Sequence, residues 1–65
     1  MTRHFVTAEI VNQAVAGIDA GRLVDQVTVD LLPAVTKQFP EAPYARRVRA
    51  TEDAVTMAYT IIDNR

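Results

Sequence analysis

The chain has 65 residues, a formal net charge of −1 and no cysteine, which limits it to one domain and excludes disulfides and thiolate metal sites. Apolar residues make up 49% of the sequence and charged residues 23%, so the chain is globular rather than disordered. A charge near zero provides no general attraction to nucleic acid or to an anionic membrane, and no apolar run is long enough to span a bilayer.

The first predicted element is a short helix over about residues 8–16. Thr7 is a good N-cap, and the apolar residues that follow recur on one face at helical spacing. Gly17 would end this helix in the left-handed conformation, so that Asp19 could cap the next helix. The alternative is that the first helix continues and ends at Gly21.

The second predicted helix covers about residues 20–39, with a kink at Pro33. An internal proline costs about 3 kcal/mol or more, but Pro33 lies on the polar side, where a kinked helix can still wrap a core. Two alternatives remain open: a break at Pro33 with Asp30 capping a new helix, or a strand over residues 27–31, which alternate between apolar and polar. The helix is preferred because a lone strand would have no pairing partner in this chain.

The third predicted helix, about residues 43–62, is the element around which the chain is organised. Pro40 and Pro43 mark the break before it, and no glycine or proline follows. Its apolar residues cover roughly 200° of the helix surface, more than one neighbouring helix can bury. We therefore expect an all-α, three-helix domain over residues 1–65, built on an antiparallel helix pair. The expected core residues are Val11, Ile18, Val24, Val27, Leu31, Val35, Val48, Val55 and Ile62.

Side chains suited to catalysis are nearly absent. The chain has no serine or cysteine, and its single histidine, His4, lies near an end that tends to fray. The acidic pairs Asp25 with Asp30 and Glu52 with Asp53 lack the histidine partner of a helical carboxylate metal site. We therefore expect no enzyme activity, no cofactor and no metal ion, and we interpret these acids as solvated helix faces.

Three arginines, Arg46, Arg47 and Arg49, form the one charged cluster that stands out. They occupy the first turns of the third helix, where the helix dipole disfavours positive charge, and Arg47 points into the apolar arc. A snorkelling arginine is one interpretation, and a partner's carboxylate or phosphate is the other. Nucleic-acid binding through this cluster is the alternative function. A helix-turn-helix is less consistent with the sequence, because the helix that would enter the groove is mainly acidic at its start.

Protein binding is the function that the sequence favours, with a second copy of the chain as the expected partner. A core of this size rarely supplies more than about 3–5 kcal/mol, and such chains often rely on an interface. In a homodimer of antiparallel third helices, Met57 and Ile61 would supply the affinity. The charges expected to face each other across that dimer are Arg46 and Arg49 with Glu52 and Asp53.

The expected setting of the protein follows from its first residues and its composition. Residues 1–6 lack the apolar stretch of a signal peptide, so we expect a cytoplasmic location. The preference for arginine over lysine, together with much alanine and valine, is typical of GC-rich genomes and indicates a bacterial or phage source. The expected role is that of a small accessory or regulatory protein.

Overall fold

Residues 5–65 are described by a computed structural model, and they form three α-helices. The helices are α1 (Ala8–Asp19), α2 (Val24–Gln38) and α3 (Tyr44–Asp63). The predicted all-α, three-helix class is confirmed, and residues 5–65 contain no strand, because residues 27–31 lie inside α2. The expectation for His4 concerns a residue outside the described range.

The start of α1 agrees with the prediction, but its preferred end was wrong. Thr7 caps the helix, and its Oγ1 accepts a hydrogen bond from the backbone N–H of Ile10 at 3.3 Å. The helix does not stop before Gly17 but continues to Asp19. The left-handed residue is Gly21, with a φ of 82°, so the alternative ending is the one that occurs.

Gly17 serves helix packing rather than helix termination. A Cβ atom at this position would lie 3.2 Å from Cγ2 of Val27, so the missing side chain lets α1 and α2 approach closely. Asp19 does not cap α2 but accepts a hydrogen bond from Nη2 of Arg65 at 2.8 Å. This hydrogen bond and the nearby carboxylate charge raise the pKa of Arg65, because both favour its charged form.

The second helix begins later than predicted and continues through its proline. Residues 20–23 form the connection after α1, so the predicted start at Ala20 was wrong and α2 begins at Val24. Pro33 lies inside the helix on an exposed position, which agrees with its predicted place on the polar side. The alternative of a break at Pro33 was wrong, because α2 is continuous to Gln38.

The third helix is unbroken from Tyr44 to Asp63, within one residue of the predicted 43–62 at each end. Pro43 precedes it as the N-cap residue, and its carbonyl accepts the backbone N–H groups of Arg46 and Arg47. The helix itself contains no proline or glycine, so nothing interrupts its backbone hydrogen bonds.

The helices alternate in direction along the chain. At one end of the domain, Thr7 Oγ1 donates to Oε1 of Gln38 at 3.0 Å, and the ring of Phe5 meets that of Phe39 at 5.1 Å between centroids. The start of α1 therefore lies beside the end of α2. Because the contact between Asp19 and Arg65 joins the ends of α1 and α3, these two helices run the same way. The pair α2 and α3 is antiparallel, as predicted.

The core lies between all three helices and contains many small side chains. Its buried apolar residues are Ile10, Val11, Ala14, Val27, Leu31, Val35, Ala42, Ala50, Ala54, Val55 and Ala58. The prediction was correct for Val11, Val27, Leu31, Val35 and Val55. The prediction was wrong for Val24, which is 43% exposed, while Ile18, Val48 and Ile62 are only half-buried.

The centre of the buried face of α3 is formed by small residues rather than by large ones. Ala50, Ala54 and Ala58 are fully enclosed, and small side chains at a helix contact allow short interaxial distances. Thr51 is also buried, and its Oγ1 donates to the carbonyl of Val48 at 2.6 Å. The hydroxyl is therefore satisfied inside the core.

Candidate helix-docking surfaces

The residues predicted to bind a partner are all on α3, but they point in different directions. They are Arg46, Arg47, Arg49, Met57 and Ile61. A helix turns by about 100° per residue, so Arg46 and Met57 lie nearly in line along the axis. Arg47 points towards the core, about 100° around the helix from Arg46. Arg49 lies about 60° from Arg46 in the other direction around the helix. The structure thus brings Met57 and Ile61 together and separates Arg47 from the other two arginines.

Arg47 bridges α2 and α3 instead of facing the solvent. Its Nη1 donates to Oγ1 of Thr36 at 3.1 Å, and its guanidinium carbon lies 5.6 Å from the centroid of the Tyr44 ring. Its Nε is buried and has no hydrogen-bond partner among residues 5–65. These contacts hold the guanidinium against α2, whereas a snorkelling side chain would extend its charged end into water.

The other two arginines do not form a continuous basic surface. Arg49 Nε lies 3.4 Å from Oδ1 of Asp53, one turn further along the helix. Arg46 is exposed and makes no ion pair within residues 5–65. Since Asp53 lies between these arginines around the helix, its carboxylate offsets part of their charge. The geometry therefore provides no specific support for nucleic-acid binding.

Met57 and Ile61 border an apolar groove between the start of α1 and the second half of α3. Met57 is 45% exposed and Ile61 44% exposed, and the groove has a volume of about 700 Å³. We call it the α1–α3 groove; its lining residues are Val6, Thr7, Ala8, Val11, Asn12, Thr56, Met57, Thr60 and Ile61. None of these side chains is ionisable, so a partner can cover the groove without desolvating a charge.

Two threonines make the α1–α3 groove less polar than the sequence indicates. Thr56 Oγ1 donates to the carbonyl of Glu52 at 3.1 Å, and Thr60 Oγ1 donates to the carbonyl of Thr56 at 3.1 Å. Each hydroxyl is thus bonded to the preceding turn of its own helix. What these side chains offer to a partner is mainly their methyl groups.

A second groove, between α2 and α3, was not predicted from the sequence. It has a volume of about 560 Å³, and we call it the α2–α3 groove; its lining residues are Val24, Asp25, Thr28, Val29, Val48, Glu52, Val55 and Thr56. Sequence reasoning missed it because Val24 and Val48 were assigned to the core. The available signal was Val29, an apolar residue that does not belong to the predicted core face of its helix.

The remaining chemistry of the described residues is sparse. Within residues 5–65, no three histidine, aspartate or glutamate side chains are grouped so that they could hold a metal ion. In the same part of the chain, no helix combines the length and apolar character needed to cross a membrane. Comparison with models of protein families, with curated proteins and with solved structures found no match for this chain. Function is therefore inferred from the two grooves themselves.

Proposed function

We propose that the protein is a small protein-binding module of accessory or regulatory type that self-associates through helix–helix contacts at the α1–α3 groove. The observation that carries this proposal is the exposure of Met57 and Ile61 beside a groove without ionisable side chains. Burial of apolar surface contributes about 25 cal/mol per Å². Because no charge has to be desolvated there, that gain is offset mainly by the loss of translational and rotational freedom on association.

The geometry suits a two-fold contact between copies. Met57 and Ile61 lie one turn apart on α3, so in an antiparallel pair of α3 helices Met57 of one copy would face Ile61 of the other. Each copy would then place these two side chains over the groove of its partner, near Val11. The same surface supplies both the projecting side chains, Met57 and Ile61, and the groove that receives them. A self-complementary interface requires both.

The charge pairing expected from the sequence cannot form in the same dimer as the contact between Met57 and Ile61. Placing Arg46 and Arg49 against the acidic residues of a second copy would shift one helix by roughly 27 Å relative to the pairing of Met57 with Ile61, at about 1.5 Å per residue. In addition, Asp53 is already bound to Arg49 of its own chain. The proposal therefore rests on the apolar surface, and the arginines do not set the register.

The mass of the protein in solution tests the proposal. We expect light scattering to show a rise from monomer to dimer between about 10 and 500 µM, as a micromolar dissociation constant requires. Replacing Met57→Glu together with Ile61→Glu should give a monomer throughout this range, because four carboxylates would meet at the two-fold contact. Both side chains are exposed in the monomer, so its helical circular dichroism should be retained.

A matched control replaces two other exposed apolar side chains by the same residue. Leu23 is 74% exposed and Val29 69% exposed, and neither lines the α1–α3 groove. The variant with Leu23→Glu and Val29→Glu should still dimerise. A wild-type protein that remains monomeric at about 500 µM would refute self-association at a useful affinity, and so would loss of the dimer in the control variant.

A further inference from the structure

We infer that the α2–α3 groove binds an amphipathic, basic helix of a different protein. This inference concerns a second surface and does not depend on self-association at the α1–α3 groove. It is supported by the place of the groove in the fold, by its apolar lining and by two carboxylates that form no ion pair within residues 5–65.

The fold leaves room for one more helix beside α2 and α3. Each of the three helices packs against both others, so α1 covers one side of the α2–α3 pair. The α2–α3 groove is open, and a helix that lies along it would complete a four-helix arrangement.

The lining of the groove is mainly apolar, and its apolar side chains are short. Val29 is 69% exposed and Val24 is 43% exposed, and both line it. Thr28 Oγ1 donates to the carbonyl of Val24 at 2.9 Å, and Thr56 Oγ1 donates to that of Glu52. With their hydroxyls bonded inside their own helices, these threonines present methyl surface, and short β-branched side chains allow a partner helix to approach closely.

Two exposed carboxylates, those of Asp25 and Glu52, line this apolar surface. Within residues 5–65 neither of them forms an ion pair, whereas Asp19, Asp30 and Asp53 each bind an arginine of the chain. The other unpaired acids, Glu9, Glu41 and Asp63, lie outside this groove. The dipole of α2 favours Asp25 in the first turn, but Glu52 lies in the middle of α3 and has no such local reason. An apolar groove with free carboxylates is complementary to an apolar helix face flanked by lysine or arginine.

A second copy of the chain is a poor occupant for this groove. Its exposed arginines Arg22, Arg49 and Arg65 each pair with an aspartate of their own chain, so they would bring a carboxylate into a groove that already holds two. The exposed bases without an ion pair within residues 5–65, Lys37 and Arg46, lie singly on different helices. The exposed residues of α1 at its start include Glu9, Asn12 and Gln13, and none of these is basic. The required apolar row with basic flanks is therefore expected on another protein.

A pair of synthetic peptides tests the inference. One is an amphipathic helix of about 18 residues, long enough to be partly helical, with a leucine row flanked by lysines; the other has glutamate in place of every lysine. Fluorescence anisotropy should show that the lysine peptide binds at least about tenfold more tightly. Amide NMR shifts should appear at Val24, Val29 and Val48 rather than at Met57 and Ile61. The same result is expected in the Met57→Glu, Ile61→Glu variant, which separates this test from self-association.

Charge-neutral variants provide the control. Asp25→Asn with Glu52→Gln should weaken binding of the lysine peptide by about tenfold at low salt, the size expected for two exposed ion pairs. Glu41→Gln with Asp63→Asn changes the net charge equally outside the groove and should change the affinity by less than about twofold.

Several results would overturn the inference. They are equal binding of the two peptides or no binding of either, shifts centred on the α1–α3 groove, and equal weakening by both neutral variants. Loss of self-association in the variant with Asp25→Asn and Glu52→Gln would identify a second copy as the occupant instead.

Discussion

Leu23 occupies the N-cap position of α2 without capping it. Its backbone has a φ of −66° and a ψ of 149°, which is the extended conformation of an N-cap residue, but its side chain forms no capping hydrogen bond. The side chain is also largely exposed, so it contributes little to the core. The first backbone N–H groups of α2 therefore lack the acceptor that aspartate, serine or threonine would provide.

Replacing Leu23 by Asp should stabilise the protein by about 0.5–2 kcal/mol, because the new carboxylate can accept those N–H groups and is favoured by the helix dipole. Urea denaturation measures the change. Val29→Asp is the control: it makes a similar replacement at an exposed position in the interior of α2 and should produce no gain. Equal effects of the two substitutions would show that capping is not responsible.

Arg47 shows which part of a residue's environment the sequence contains. Helical spacing placed it inside the apolar arc of α3, and the structure finds it half-buried. Its hydrogen-bond partner could not be predicted, because Thr36 lies on α2 and meets Arg47 only through the packing of α2 on α3. Direction around one helix is a local property, whereas a contact between helices depends on their relative position.

The junction of α1 and α2 is determined by a contact between the two helices. The chain has glycines at positions 17 and 21, and either can end a helix. Gly17 is instead needed inside α1, because Val27 lies against it. The sequence could not distinguish the two, since the distinguishing contact is with another helix. By contrast, α3 contains no competing signal, and its bounds were predicted within one residue.

Gly17→Ala should not produce the gain in stability that replacing a glycine inside a helix by alanine usually gives. Alanine is favoured over glycine inside a helix by about 0.5–1 kcal/mol, but the new Cβ would lie 3.2 Å from Cγ2 of the buried Val27. In the background of Val27→Ala this conflict is removed, so Gly17→Ala should then be stabilising by about 0.5–1 kcal/mol. Urea denaturation of the four proteins measures the coupling.

A neighbouring position supplies the control for this cycle. Ala16 is exposed on α1, so Ala16→Gly should lower the stability by about 1 kcal/mol with or without Val27. Additive effects of Gly17→Ala and Val27→Ala would contradict a packing role for the glycine.

The domain as a whole has a core with few large side chains. Ile10, Leu31 and Val35 are its largest fully buried apolar residues, while α3 contributes mainly alanines at its centre. A small core of this kind depends strongly on each large side chain, because little other apolar volume can compensate for its loss.

Leu31→Ala should therefore destabilise the protein by about 2–5 kcal/mol, which is close to the total stability expected for a domain of this size. Val55→Ala should cost somewhat less because the side chain is smaller. Thermal melting followed by circular dichroism measures both. Val29→Ala is the control, since Val29 is exposed, and it should leave the melting temperature nearly unchanged. An unchanged melting temperature for Leu31→Ala would show that the core is misassigned.

The candidate surfaces were predicted only in part, because the exposure of residues on α3 depends on how the helices pack together. The sequence placed Ala50, Ala54, Met57 and Ile61 in one apolar row of α3. The structure buries the two alanines and exposes Met57 and Ile61. Which part of a row is covered depends on helix crossing, and crossing is set jointly by all the side chains at the contact.

The two short connections, residues 20–23 and 39–43, have a consequence for the kinetics of folding. Each helix meets its successor after a turn of four or five residues, so many native contacts join residues that are close in sequence. Low contact order of this kind is typical of helical domains that fold within microseconds to milliseconds. Only the packing of α1 on α3 requires a long loop to close. The partly folded state, in which unpacked helices and the apolar groove surfaces are exposed together, is therefore short-lived. This limits misassembly between unfolded copies.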